Sequence, residues 1–318
     1  MLPCYACQHS DAERKNKGFF RWKGENLPPL YEKDPSHIDL LEQYNIPFIF
    51  DIHTHFFPEY IMRLIWKWFD KVQWDIAYRF STEKRLEELK KNRVSYFTSL
   101  NYAHRPNMAE MLNLWVYENC LQIPGMLAFG TFYPENGVLR YTKKAVEEYG
   151  LKGFKLHCEV SKLNLNLPEL HSVFLYLEEK QIPLVIHTGT APLKGEFTGI
   201  SYFAPFMQTF PRLKVIVAHM GAAEIEEYAN LFAIYPNLYM DTTMVFVDFL
   251  ATGESVDEVF FLLEKYSERI FFGSDFPNIP YSYSHAVKSI LEKNISKKTA
   301  QEIFYKNAIK FFTIREFV

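Results

Sequence analysis

Two histidines stand one residue apart in the segment FIFDIHTHFF, residues 48–57. His53 and His55 end an apolar run that has the composition of a buried strand. Because side chains alternate along a strand, positions i and i+2 share a face, so the two imidazoles point the same way. Such a pair can bind one metal ion, but the two residues can also be ordinary polar residues at a strand end.

Polar residues follow other apolar runs in the same way. They are Lys155 and His157 in GFKLHCEV, His187 in PLVIHTGT, His219 in KVIVAHMG and Asp275 in RIFFGSDFP. Five of the 10 histidines therefore fall at the ends of apolar segments, which chance placement explains poorly. Imidazoles with a carboxylate suit a borderline divalent cation such as Zn²⁺, whereas Mg²⁺ would require more oxygen ligands.

From residue 47 onward, short apolar segments alternate with longer amphipathic ones. The predicted strands are residues 47–55, 94–102, 125–133, 153–160, 183–190, 214–221, 237–244 and 269–277. Apolar residues recur at helical spacing in residues 107–122, 139–150, 167–181, 223–236, 257–268 and 284–294.

Strands that are each followed by a helix predict an α/β fold, the (β/α)8 TIM barrel. An open doubly wound sheet is the alternative, but no glycine-rich phosphate loop follows the first strand. We assign residues 47–318 to the barrel and residues 1–46, which lack strong periodicity, to a short N-terminal extension packed on it. Catalytic groups of such barrels lie at the C-terminal ends of the strands, where the polar residues above are found.

The alternation of side chains along a strand indicates the direction in which these residues point. Asp51 shares a face with His53 and His55, and Lys155 shares one with His157. The apolar residues between them suit the helix side of the barrel, so both polar sets are predicted to point inward.

Composition excludes several classes of protein. The 35 basic and 38 acidic residues give a formal net charge of −3, which argues against a nucleic-acid partner. No apolar run approaches the roughly 18 residues that cross a bilayer, and the first residues lack the apolar segment of a secretory signal. Only four cysteines occur, and Cys4 and Cys7 have no second ligand pair at zinc-knuckle spacing, so both are left out of the site. We expect a cytoplasmic protein with a small-molecule substrate, bound neither to nucleic acid nor to a membrane.

The sequence resembles the amidohydrolase superfamily, specifically its amidohydrolase-2 branch, which includes decarboxylases of the aminocarboxymuconate-semialdehyde type and several lactonases. The resemblance covers about residues 47–312 and rests on DIHTH (51–55), VIHTG (185–189), IVAHMG (216–221), GSDFP (273–277) and EIFYKNAIKFF (302–312). It implies a single metal ion, most often zinc, bound by His53, His55, His187 and Asp275. His219 would then be a catalytic or supporting histidine, and a homodimer would be compatible with the dimers common among similar proteins.

Lys155 has two interpretations under this resemblance. Binuclear relatives carry a carboxylated lysine on the fourth strand, near the position of Lys155. The LHCEV segment that follows is not typical of those relatives. A substrate-binding ammonium or a structural ion pair is therefore favoured.

The resemblance implies hydrolysis of a small lactone, ester or amide, in which a metal ion activates water, Asp275 takes the proton and His219 orients or polarises the carbonyl. Non-oxidative decarboxylation of a small aromatic or heterocyclic acid uses the same ligands and is the alternative. A barrel that only binds a ligand is a third hypothesis, which the complete set of expected metal positions disfavours.

Residues that would contact the substrate are less clearly marked. Tyr102, His104 and Arg105 follow the second strand; the last two suit an anionic substrate or simply form a polar loop. Lys155 and His157 are expected to contact substrate from the fourth strand, and Asn278 from the loop after the eighth. Asp241 and Thr242 follow the seventh strand and are either binding or structural residues.

Overall fold

The computed structural model describes residues 36–71, 74–191, 194–247 and 259–315. Cys4, Cys7 and most of the predicted extension lie outside these ranges. Within them, no helix is both long enough and apolar enough to cross a membrane.

The strands form one parallel sheet of eight, in which each strand pairs with the next in chain order. They are β1 (Ile49–Asp51), β2 (Val94–Ser99), β3 (Met126–Gly130), β4 (Gly153–His157), β5 (Leu184–His187), β6 (Val215–Val217), β7 (Leu238–Asp241) and β8 (Ile270–Phe271). The first and last strands meet where the amide of Ile52 donates to the carbonyl of Phe272 at 3.0 Å. Thr54 and Phe276 form a parallel bridge beyond that point. The sheet is thus a nearly closed barrel, and the predicted fold is confirmed.

Helices alternate with these strands on the outside. In chain order they are α1 (Ile38–Gln43), α2 (Glu59–Lys71), α3 (Thr82–Lys91), α4 (Ala109–Asn119), α5 (Val138–Glu147), α6 (Cys158–Ser161), α7 (Pro168–Lys180), α8 (Ile200–Thr209), α9 (Ile225–Asn230), α10 (Phe261–Lys265), α11 (Tyr283–Leu291), α12 (Lys297–Gln301) and α13 (Asn307–Phe311). A π-helical turn, Glu302–Lys306, joins the last two, and short 3-10 turns occupy Ala218–Gly221, Leu231–Ala233 and Ser267–Arg269.

Apolar side chains fill two separate layers. The inner layer packs residues from several strands against one another, among them Phe50, Phe129 and Val185, together with Ala308 of the C-terminal helix. The outer layer packs the opposite strand faces, for example Phe154 and Ile186, against the helices. Because the inner layer plugs the barrel, an accessible site can form only at the C-terminal ends of the strands and just beyond them.

The predicted inward face is correct for β4 but wrong for β1. Phe50 and Ile52 belong to the inner apolar layer. The carboxylate of Asp51 points outward and accepts a hydrogen bond from the hydroxyl of Tyr283 on α11 at 2.8 Å. The ladder of β1 ends at Asp51, so alternation no longer governs the residues after it, and His53 and His55 reach the barrel mouth from irregular backbone.

Two helices, α2 and α3, stand between β1 and β2, and neither was predicted. α2 carries apolar residues on a buried face, with Met62 and Trp66, and on an exposed face, with Leu64 and Trp68. This double distribution blurs the helical spacing on which prediction depends.

The end of the predicted extension, residues 36–46, includes α1 and packs on the barrel. His37 Nδ1 lies 2.9 Å from Ser284 Oγ, and the Tyr44 hydroxyl donates to the carbonyl of Leu291 at 2.8 Å. Leu41 and Ile46 are buried in the outer layer. The domain boundary at residue 46 stays a prediction.

Candidate functional site

His53, His55 and Asp275 come together at the barrel mouth. One nitrogen or oxygen atom from each lies within 4.8 Å of the others, and in the described ranges no other group of this kind is found. His53 and His55 follow β1, and Asp275 follows β8, the strand beside it. The amide of Asp275 donates to the carbonyl of His53 at 2.9 Å, which fixes the two segments together.

The hydrogen bonds of His55 leave it with a lone pair facing Asp275. Its Nδ1 lies 2.8 Å from the carbonyl oxygen of Leu100, which can only accept, so Nδ1 carries the proton. Its Nε2 lies 2.8 Å from Oδ1 of Asp275. Two lone-pair atoms at this distance repel each other unless a cation, either a proton or a metal ion, is bound with them. The donor chemistry therefore fits a divalent cation.

The carboxylate of Asp241 fixes the orientation of the His53 ring and the nitrogen that carries its proton. Its Nδ1 donates to Oδ2 of Asp241 at 2.8 Å, so its Nε2 is free of hydrogen and lies 3.5 Å from Oδ1 of Asp275. The same Nε2 accepts a hydrogen bond from Lys155 Nζ at 3.3 Å. A histidine held by a carboxylate on its far nitrogen is a common arrangement in metal sites, because it fixes the ring and raises its basicity.

Asp241 also orients the backbone at His219. Its Oδ1 accepts the amide of His219 at 2.8 Å and the amide of Thr243 at 3.2 Å. The side chain of His219 donates from Nδ1 to the carbonyl of Thr243 at 3.0 Å, so its Nε2 is a lone pair. His219 can therefore accept a proton or bind a cation. Polarising a carbonyl, its predicted role, would need an N–H that the ring directs to Thr243.

Backbone strain marks two of these positions. His219 has φ of 54° and Asp275 has φ of 72°, in the left-handed region that residues other than glycine rarely adopt. Each such residue costs about 1–3 kcal/mol and persists only where its surroundings hold it. The bond between Asp275 and His53 is part of that support.

His187 and His157 stack beside the three-residue cluster. Their ring centroids are 4.0 Å apart, and His187 lies 4.4 Å from the ring of His219. His187 directs Nε2 to the carbonyl of Ala191 at 3.1 Å, which leaves Nδ1 as its lone pair. It is not within the cluster, so its place as a ligand stays a prediction. His157 accepts the amide of Val160 at Nδ1, 3.3 Å away, so a neutral His157 carries its proton on Nε2.

The remaining predicted substrate contacts divide into two groups. Tyr102 packs its ring edge-on to His55 at 5.9 Å and lies 5.2 Å from His157, at the mouth of the site. His104 is half-buried on the loop beyond it. Asn278, by contrast, is buried, and its Oδ1 accepts from Trp66 Nε1 at 3.3 Å. That bond holds the loop after β8 against α2, so Asn278 has a structural contact that the sequence did not indicate.

Burial favours the neutral form of four histidines at the site, His53, His157, His187 and His219. Burial, followed by the charge of Lys155, holds the pKa of His53 well below its ordinary value, and burial also lowers the pKa of His157 and His187. The pKa of His219 falls to about 4, mainly by burial. Neutral imidazoles are the form that binds metal ions.

The pKa values of Asp275, Lys155 and Tyr102 are also shifted, each in its own direction. Burial by itself raises the pKa of Asp275, but the hydrogen bond with His55 and the other imidazoles around the carboxylate outweigh it, so the pKa is lowered and the carboxylate is ionised at neutral pH. Burial lowers the pKa of Lys155 to about 8, against the charges of Asp241 and Asp275. Burial also raises the pKa of the Tyr102 hydroxyl, which remains a donor.

Position 273, two residues before Asp275, requires glycine. A Cβ added there would lie 2.1 Å from Thr243 Oγ1 and 2.8 Å from Cβ of His53. The backbone of β8 therefore passes too close to His53 for any side chain.

The sequence left the role of Asp241 undecided, and the face predicted for Asp51 was wrong. Asp51 accepts hydrogen bonds from the amides of His53 and Ser274, both at 3.1 Å, and so joins the segments that carry His53 and Asp275. The available signal was an acidic residue within or at the end of an apolar strand, since an uncompensated buried carboxylate is costly.

Comparison with known proteins identifies the family and the fold of the chain. The sequence matches the family model described as Amidohydrolase over residues 50–314. Among curated proteins, none matches the sequence.

Several solved structures share the fold. An uncharacterised TIM-barrel protein from Bordetella bronchiseptica has a TM-score of 0.65 and 18% identity, over 83% of this chain and 98% of that one. A 5-carboxyvanillate decarboxylase from Sphingomonas paucimobilis has a TM-score of 0.61 and 17% identity, over 85% and 100% of the two chains. Another 5-carboxyvanillate decarboxylase, from Novosphingobium aromaticivorans with bound manganese, has a TM-score of 0.60 and 16% identity, over 84% and 97%.

Proposed function

Because the chain belongs to the amidohydrolase family, we propose that it is a metal-dependent hydrolase of a small lactone, ester or amide that carries a negative charge. The observation that carries the proposal is the distance of 2.8 Å between His55 Nε2 and Asp275 Oδ1, two lone-pair atoms that require a cation.

His53, His55 and Asp275 would hold one divalent cation, with His187 as a further ligand. Nitrogen donors favour zinc, whereas the manganese of the Novosphingobium aromaticivorans structure is an ion that prefers oxygen donors. When bound, such a cation supplies Lewis acidity, which polarises a carbonyl and makes water a stronger acid near neutral pH.

Proton transfer falls to Asp275 and His219. The ionised carboxylate of Asp275 accepts the proton of the attacking water and returns it to the leaving group. His219 offers its unprotonated Nε2 as a second proton acceptor or as a ligand. The donors toward the carbonyl oxygen are Nε2–H of His157 and the hydroxyl of Tyr102, both neutral and both at the barrel mouth.

Charge balance supports an anionic substrate. The ammonium of Lys155 offsets one of the two carboxylates that face the centre, Asp241 and Asp275, so a dication makes the centre net positive. Burial raises the pKa of Asp51, which lies behind His53, to about 7, so this third carboxyl group is partly neutral. A negatively charged substrate group bound at the centre would be attracted strongly, because a buried centre contains little water to screen its positive charge. We assign the substrate's negative group to Lys155, with His104 nearer the entrance.

Non-oxidative decarboxylation is the second candidate. Lys155, a buried cation 3.3 Å from His53 Nε2, would equally hold a reacting carboxylate. Two solved structures that share this fold are 5-carboxyvanillate decarboxylases. In that reaction the carboxylate leaves as CO2, and a protonated group at the mouth delivers a proton to the carbon.

The test uses the metal-loaded enzyme and pairs of lactones, esters and amides that differ only by a carboxylate. We expect proton release without CO2, faster for the carboxylated member of each pair. Lys155→Met should abolish that preference and Lys155→Arg should retain part of it. CO2 release from aromatic acids without hydrolysis would select decarboxylation. Failure of the metal-loaded enzyme with both substrate classes would contradict an enzymatic role.

A further inference from the structure

Two helices of the outer layer, α2 and α4, expose apolar side chains that the barrel core does not use. Ten large apolar side chains are exposed in the described part of the chain, and six of them belong to these helices. The six, which we call the α2/α4 patch, are Tyr60, Leu64, Trp68, Met111, Leu114 and Tyr117.

The α2/α4 patch is continuous. Tyr60, Leu64 and Trp68 are four residues apart and therefore form one stripe along α2. The Tyr60 hydroxyl donates to Met111 Sδ at 3.9 Å, which joins this stripe to the exposed face of α4. The core-facing side of α2 is formed by other residues, among them Met62 and Trp66. Packing within the described part of the chain therefore leaves this stripe outside the core.

The size of the patch fits a protein interface. Its side chains are 37–59% exposed. At roughly 200 Å² for a large side chain, they expose about 500 Å² of mostly apolar surface. A standard interface buries about 800 Å² per partner, and homodimer interfaces are about 65% apolar, so the patch supplies the apolar area that one side of such an interface needs.

Charges flank the patch asymmetrically. α2 exposes Arg63 and Lys67 beside Leu64 and Trp68, and its exposed acidic residue, Asp70, is paired with Arg79. α4 contains no basic residue, and it exposes Glu118 beside Tyr117. A basic flank on one helix and an acidic flank on the other are complementary only if α2 of one molecule meets α4 of another. A two-fold axis produces that contact twice, because each copy presents both helices.

We propose that the α2/α4 patch is the interface of a two-fold symmetric homodimer, in which α2 of one copy packs against α4 of its partner. Leu64 and Trp68 meet Leu114 and Tyr117 across the interface, and Lys67 lies near Glu118. In this dimer, a second copy of the chain covers the α2/α4 patch.

The first test is the mass of the full-length protein in solution, measured by light scattering and sedimentation over a range of concentrations. We expect twice the 37.6 kDa of one chain. Leu64→Glu and Leu114→Glu should each raise the dimer dissociation constant at least tenfold, because each places a carboxylate in an apolar contact. Leu175→Glu is the matched control, since Leu175 is 55% exposed, against 59% for Leu64 and 40% for Leu114, but lies on α7, and it should leave the constant unchanged.

The second test concerns the pairing of helices. On a background of Cys4→Ser and Cys7→Ser, a mixture of Leu64→Cys and Leu114→Cys proteins should form a disulfide-linked heterodimer under mild oxidation, whereas either variant alone should not. A monomer at every concentration, or a dimer unaffected by both glutamate variants, would overturn the proposal. Cross-linking of the Leu64→Cys variant with itself would overturn the pairing of α2 with α4.

Discussion

His53 donates a hydrogen bond from Nδ1 to the carboxylate of Asp241 at 2.8 Å, although 188 residues separate the two. The other oxygen of Asp241 accepts the backbone amides of His219 and Thr243. All three partners are donors, so only an ionised carboxylate satisfies them together. Asp241 thereby fixes the tautomer of His53 and the direction of its Nε2.

Replacing Asp241 by asparagine should weaken metal binding by about 10–100-fold. The amide has one acceptor oxygen, which the two backbone amides will occupy, so its NH2 group faces His53. The ring must then shift its proton to Nε2, the atom that faces the centre. Competition with a chromophoric chelator measures the affinity.

Asp70→Asn is the control for that experiment, because Asp70 is paired with Arg79 at the exposed surface. It should bind metal as the wild type does. Equal affinity in Asp241→Asn and the wild type would show that Asp241 does not set the state of His53.

Asp275→Asn should separate metal binding from proton transfer. The amide oxygen can still reach the cation but cannot accept a proton, so turnover should fall by about 10²–10⁴-fold while the metal is largely retained. Metal analysis and kcat measured on the same preparation provide the check. An active Asp275→Asn enzyme would mean that another group accepts the proton.

His219→Asn should also retain the metal and lose activity to a similar degree. If this substitution instead empties the centre, His219 is a ligand and its unprotonated Nε2 serves the cation rather than the proton. Metal content thus assigns the role of this histidine directly.

Gly273→Ala should destabilise the fold by about 1–3 kcal/mol and weaken metal binding, because the new methyl group would collide with His53 and Thr243. Gly130→Ala is the matched control: its Cβ would meet Asn113 and Phe154, at 2.9 Å each, away from the centre. It should lower the melting temperature without changing metal affinity. Equal metal affinity in both variants would count against tight packing at His53.

Metal affinity should depend on pH in a way that reflects the buried histidines. Protonated imidazole cannot bind a cation, and burial keeps the pKa of His53 and His187 well below the ordinary value of 6.5. The neutral form therefore persists to lower pH than for exposed histidines. In metal titrations at a series of pH values, proton competition from these two histidines should appear only below pH 6.5. Protonation of either ring at or above pH 6.5, followed by NMR of the imidazole protons, would contradict this prediction.

The sequence predicted the barrel because its strands are short apolar runs at regular intervals, and those runs fall on β1 to β8. His53, His55 and Asp275 were identifiable because each follows such a run. The pairing of His53 with Asp241 was not, since it depends on β1 and β7 meeting the same barrel mouth. Asp51 was assigned to the wrong face because it was grouped with His53 and His55, which lie beyond the hydrogen-bonded ladder within which alternation holds.

The positions of the imidazole protons could not be predicted from the sequence either. Which nitrogen of His55, His157, His187 or His219 carries hydrogen depends on backbone carbonyls and amides such as those of Leu100, Val160, Ala191 and Thr243. These neighbours are determined by loop conformation rather than by residue type. They decide whether each histidine is a donor, an acceptor or a ligand.

Elemental analysis of protein purified without chelators tests the central claim most directly. We expect about one equivalent of a divalent transition metal per chain, most of it zinc, with the content lost in His53→Ala and His55→Ala but kept in Cys4→Ser and Cys7→Ser. Two equivalents in the wild type, with one lost in Lys155→Ala, would contradict a single-ion centre. Full metal content in His55→Ala would contradict the site itself.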